Sequence, residues 1–179
     1  MRALIQLPYR HLEYIVLTYP LSKPITEFES KLSIEVRLFG TSDLDYVRQE
    51  FLPSEANMCD RRLKVGHRGL VATLNSNAVG YCWLCTDDDL ERVDLRITPG
   101  DILLTDAFTS SSVRGRGVHT QLALAGLRYA KGLEFKRNIV YIEVNNAPSL
   151  AVWQKKMGSE VVGYIDFKRI GFWRRTRIS

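Results

Sequence analysis

Three segments run together without interruption: ILLTDAF (Ile102–Phe108), TSSSVRGRG (Thr109–Gly117) and VHTQLALAGLRYAKG (Val118–Gly132). The first is apolar on both faces, as in a strand at the centre of a sheet. The second is polar and carries two glycines. In the third, Val118, Leu122, Ala125 and Tyr129 fall at i, i+4, i+7 and i+11, the spacing of an amphipathic helix that Gly132 can close. The glycines at 115 and 117 allow tight turns and a close approach of backbone to ligand. The first amides of the following helix have no intrahelical acceptor and lie at the positive end of its dipole. Arg114 and Arg116 add charge and Thr120 a hydroxyl, so the unit reads as a phosphate or pyrophosphate cradle. The G-x-x-x-x-G-K-[ST] loop is absent, and Thr120 stands where a dinucleotide fingerprint needs its third glycine.

Outward from this unit, NIVYIEV (Asn138–Val144) reads as a second strand. A helix starts at Asn146 or Ala147, with Pro148 tolerated in its first turn. It buries Leu150, Trp153 and Met157, carries Lys155 and Lys156 near its end, and stops before Gly158. Glu160–Ile170 and Phe172–Ile178 form a closing hairpin turning at Gly171. On the amino-terminal side, Tyr14–Leu21 and the alternating Lys31–Phe39 read as strands. Helices are expected from Asp43 to about Phe51 and from Glu55 to Val65, and a hairpin over Gly69–Leu74 and Ala78–Cys85. The acidic run Asp87–Asp89 and the loop to Gly100 read as a solvated connection. The result is a single mixed α/β domain (α+β) over residues 1–179, without repeats or linker.

A length of 179 residues suits one domain, and 45% hydrophobic with 25% charged residues excludes a disordered chain. No apolar run reaches the roughly 20 residues of a membrane span, and no cleavage site follows the start, so cytoplasm is the expected compartment. Three cysteines do not make a disulfide framework; in a strand, Cys82 and Cys85 point to opposite faces, which argues against a metal site. The net charge of +5 suits an anionic partner of any kind. The basic C-terminal cluster reads as a solvated strand edge, and no nucleic-acid motif accompanies it.

The run Arg114-Gly115-Arg116-Gly117-Val118-His119, directly after a strand and opening a helix, resembles the [Q/R]-x-x-G-x-[G/A] signature of the GNAT acetyltransferase superfamily. The continuation through Val140–Val144, Asn146, Ser149, Trp153, Lys155 and Gly158 is similar too. The resemblance covers roughly Ile102 to Ile170, the acyl-CoA-binding core, with residues 1–30 as an amino-terminal strand extension. It implies a mixed, mostly antiparallel sheet splayed at its two central parallel strands and flanked by about four helices. It implies acetyl-CoA, or another acyl-CoA, as co-substrate, and no metal. The pantetheine arm would pair with backbone near Ala107, Phe108 and Thr109, Asn146, Ser149 and Trp153 would contact the cofactor, and Arg114, Gly115, Arg116, Gly117, Val118, His119 and Thr120 would hold the pyrophosphate.

Asp106 and Glu143 lie in the two central strands, where a carboxylate must be paired or face a cleft. Each can relay a proton from an acceptor amine or partner a nearby arginine. His119 and Trp153 depart from the family pattern: the motif prefers Gly or Ala at the first, and a tyrosine general acid usually sits at the second. An indole N–H does not protonate a thiolate. Trp153 also stands one residue further from Gly158 than is usual. The expected activity is N-acyl transfer to a primary amine on a small molecule. The alternative is a GNAT-like module that binds acyl-CoA or a protein without efficient transfer; a homodimer is left open. Gly117→Glu is expected to abolish cofactor binding and leave the fold largely intact.

Overall fold

The computed structural model describes residues 9–50, 53–86, 97–170 and 173–179. The end of the first helix at Phe51, the acidic run at 87–89 and the turn at Gly171 lie outside them. Strand β1 (Tyr9–Pro20) is followed by β2 (Glu35–Leu38), α1 (Leu44–Glu50) and α2 (Pro53–Lys64). The hairpin of β3 (Arg68–Leu74) and β4 (Asn77–Cys85) leads to β5 (Asp101–Thr109), α3 (Val118–Gly132) and β6 (Arg137–Glu143). Helix α4 (Ala147–Leu150) continues as a wider π-helical turn over Ala151–Lys156 before β7 (Glu160–Ile170) and β8 (Trp173–Ile178). The expected strand from Lys31 contracts to Glu35–Leu38, because only those residues find a partner in β3.

The described strands form one sheet in the order β2-β3-β4-β5-β6-β1-β7-β8. Strand β1 is therefore interior, antiparallel to β6 on one side and to β7 on the other. Its two faces alternate accordingly. Leu17 and Tyr19 join the core beneath α3 and α4, while Tyr14 and Val16 join the core beneath α1 and α2. In β4, Cys82 belongs to the first core and Cys85 to the second.

Strands β5 and β6 are the parallel pair, and they pair only over Asp101–Leu103 with Arg137–Ile139. At that end Arg137 grips Asp101 through two hydrogen bonds, Nε to Oδ1 at 2.8 Å and Nη2 to Oδ2 at 2.7 Å. These bonds hold the Asp101 carboxyl below the usual carboxylate range. Beyond Leu103 the strands part: β5 stays with β4, and Val140–Glu143 of β6 stays with β1. A bulge adds to the divergence. Tyr81 faces Phe108 and Trp83 faces Thr105, so Asp106 and Ala107 share one position opposite Cys82. Asp106 takes a left-handed φ of 45° there.

Candidate functional site

Past the carboxyl ends of β5 and β6 opens a cleft of about 580 Å³. One wall is Thr109 and the loop into α3; the other is Asn146, Pro148, Ser149 and the turn ending at Lys156. Gly117 is the N-cap of α3 at φ 96°, and Gly115 sits at φ 74°. A glycine has no side chain to cap the helix, so the amides of the first turn stay available to a ligand. Gln121 N–H donates to Gly117 C=O at 3.0 Å and closes the first turn beneath them.

The charges around the cleft share one sign. Arg114 donates from Nε to the Thr109 carbonyl at 3.1 Å, and its guanidinium lies 5.7 Å from the centre of the Phe108 ring. Lys156 Nζ is 3.4 Å from Thr120 Oγ1 and 4.5 Å from the centre of the Phe28 ring. His119 also lines the cleft; burial first, then the Lys156 ammonium, hold its imidazole down to about 4. It is therefore neutral at pH 7. Among the described residues, no Asp or Glu lines the cleft. Two cations, a helix amino terminus and no carboxylate make a receptor for a polyanion such as a pyrophosphate.

Of the residues singled out in the sequence, Thr109, Arg114, Gly115, Gly117, Val118, His119, Thr120, Asn146 and Ser149 line the cleft together. Asn146 caps α4, its Oδ1 accepting from Ser149 N–H at 3.3 Å. Arg116 does not line it: its side chain is exposed, and its carbonyl accepts from Lys31 N–H and Ser30 Oγ. Ala107 and Phe108 lie on the parted edge of β5 outside the cleft, with the Phe108 ring against Tyr81. Trp153 does not line the cleft: its side chain is 1% exposed and packs in the core beneath α3 and α4.

Sequence reasoning missed Lys156, because a regular helix would turn it elsewhere. Met157 N–H bonds to Val152 C=O five residues back, so the wide turn absorbs the extra residue between Trp153 and Gly158. It also missed Phe28, whose ring would stand 2.8 Å from a Cβ at Gly117. Gly117→Glu therefore strains the fold as well as the site, contrary to expectation.

The two candidate carboxylates stand on the other face. Asp106 Oδ2 accepts from Arg62 Nη2 at 2.7 Å, with Arg62 1% and Asp106 11% exposed. Glu143 ends β6 on the face of Tyr141, whose ring meets Tyr14 edge-on at 5.3 Å. The described residues thus place a basic cleft on the α3–α4 side of the parted strands and two carboxylates on the α1–α2 side. No helix among the described residues is long and apolar enough to cross a membrane, and no group of three or more metal-binding side chains occurs among them.

The described strands thus form a sheet parted at its parallel pair, with a basic cleft at the mouth of the gap. The chain belongs to the acetyltransferase (GNAT) family, whose model matches residues 35–159. No curated protein sequence matches it. Among solved structures it is similar to a Drosophila protein at 12% identity and a TM-score of 0.68, covering 92% of this chain and 53% of that one. It is also similar to a GCN5-related N-acetyltransferase from Sphaerobacter thermophilus at 16% identity and a TM-score of 0.59, covering 94% and 53%. A GNAT family acetyltransferase from Brucella melitensis, solved in complex with acetyl-CoA, matches at 14% identity and a TM-score of 0.52, covering 65% and 80%. At these identities the likeness is one of fold. The chain spans about half the length of the first two.

Proposed function

We propose that this chain transfers an acetyl group from acetyl-CoA to a primary amine on a small molecule. The observation that carries the reading is the basic cleft, without a carboxylate among the described residues, built on Arg114, Lys156 and the amino terminus of α3 at the end of the gap between β5 and β6. The first-turn amides of α3, with Arg114 and Lys156, would hold the pyrophosphate, and Asn146 and Ser149 would flank the pantetheine arm. When bound, acetyl-CoA supplies an acyl carbon already activated as a thioester. Backbone amides between Ala107 and Thr109, freed from β6 by the splay, would polarise its carbonyl. Glu143 would accept the proton of the attacking amine from the α1–α2 side. A thiolate leaves far more readily than an alkoxide and can take its proton from solvent, so the burial of Trp153 does not forbid turnover.

That burial favours one second reading, acyl-CoA binding without efficient transfer. Calorimetric titration with acetyl-CoA and desulfo-CoA, with NADH as control, tests the shared part. Micromolar binding of both CoA species and none of NADH is expected; no binding of either CoA sinks the proposal. Release of free thiol with any amine in a screen then selects transfer over binding alone.

A further inference from the structure

Arg62 has no place in the chemistry above, yet it is a charged side chain at 1% exposure, reaching from α2 across to β5. Its Nη2 donates to Asp106 Oδ2 at 2.7 Å, its Nη1 donates to Cys85 Sγ at 2.6 Å, and Nη1 lies 3.2 Å from His67 Nδ1. The guanidinium carbon also sits 5.7 Å from the centre of the Trp83 ring. Removing such a charge from water is costly, and a hydrophobic residue of similar size is often no worse for stability. The pair coincides with an unusual backbone conformation. Asp106 is the bulged residue of β5 at φ 45°, a region that residues with a Cβ adopt at a cost and glycine adopts freely. The next three residues, Ala107 to Thr109, are those whose amides the proposed function uses.

We propose that Arg62 is a positioning residue that clamps the β5 bulge through Asp106, and so sets the backbone of Ala107–Thr109 at the angle that accepts acetyl-CoA. This rests on the proposed function. Arg62 touches neither donor nor acceptor; it acts through Asp106, whose part is then conformational.

The test compares the wild type with Arg62→Met and with two double variants, Arg62→Met/Asp106→Gly and Arg62→Met/Asp106→Ala. Both doubles lack a buried unpaired charge and differ only in a Cβ at a left-handed position. Acetyl-CoA binding is measured by calorimetry, turnover by thiol release and folding by thermal melt. Arg62→Met is expected to weaken acetyl-CoA binding about tenfold, and to raise KM for acetyl-CoA rather than lower kcat. The glycine double should recover to within about threefold of the wild type, and the alanine double should not, although both melt cooperatively. A clamp of merely structural importance would shift both melting temperatures without separating the two affinities. Wild-type affinity in Arg62→Met, a glycine double as weak as the alanine double, or a loss confined to kcat each overturns the clamp. A wild type that binds no CoA overturns the proposed function and the clamp together, which distinguishes the two failures.

Discussion

At the scale of single residues, His119 and the two loop glycines give the sharpest expectations. The His119 imidazole sits at about 4 in the folded protein against an ordinary 6.5. Between those values the unfolded chain binds a proton that the folded chain does not, so stability falls as pH drops from about 6.5 towards 4. Relative to His119→Gln, the wild type should lose on the order of 2 kcal/mol of unfolding free energy between pH 7 and pH 4, read by urea denaturation. A flat difference would mean that the ring is solvated. Gly115 separates binding from folding where Gly117 does not. A Cβ at Gly115 meets nothing within 4 Å, and aspartate tolerates its left-handed φ of 74°. Gly115→Asp adds a carboxylate to a cleft lined by none among the described residues, so acetyl-CoA affinity should fall about tenfold or more, while the melting temperature moves by only a few degrees. Unchanged affinity would displace the pyrophosphate from this loop. That Arg114, Gly115, Gly117 and Thr120 line one cleft is legible in the sequence because they lie within a single short loop and helix start. Lys156 was not, since its orientation depends on a π turn that hydrophobic spacing does not reveal.

At the scale of elements, β5 is where fold and site meet, and β4 constrains it from behind. A Cβ at Gly80 would stand 2.6 Å from the Phe108 carbonyl oxygen, a backbone atom that cannot swing aside, and 3.2 Å from Leu122 Cδ1 of α3. Gly80→Ala must therefore push the outer half of β5 away from β4. We expect it to cost about 1–3 kcal/mol of stability, as overpacking does, and to weaken acetyl-CoA binding in the protein that still folds. Binding at wild-type strength, measured well below the new melting temperature, would show that the Phe108 backbone is no part of the donor site. Here too sequence gave only half. Ile102–Phe108 reads as a central strand from its apolar faces, but the bulge at Asp106 follows from pairing with β4 and from Arg62 on α2, both remote in the chain.

At the scale of the whole molecule, the least legible feature is the place of β1. The family match begins at residue 35, and from sequence residues 1–30 look like an extension. Strand order depends on long-range pairing, which periodicity does not report, and in the folded chain β1 lies between β6 and β7. It contributes Leu17 and Tyr19 to the core under α3 and α4, and Tyr14 and Val16 to the core under α1 and α2. It is also what joins β7 and β8 to the rest of the sheet. Four buried apolar side chains at about 1.5–3 kcal/mol each already match the 5–15 kcal/mol by which a domain of this kind is stable. A chain spanning residues 31–179 should therefore show no cooperative melt, although it contains the whole family match, and it should bind no acetyl-CoA. Adding a peptide of residues 9–21 in trans should restore a melting transition, because the vacated position is an antiparallel slot with a fixed register on both sides. If the shortened chain instead melts cooperatively at the wild-type temperature, β1 is dispensable, and β7 must pair directly with β6.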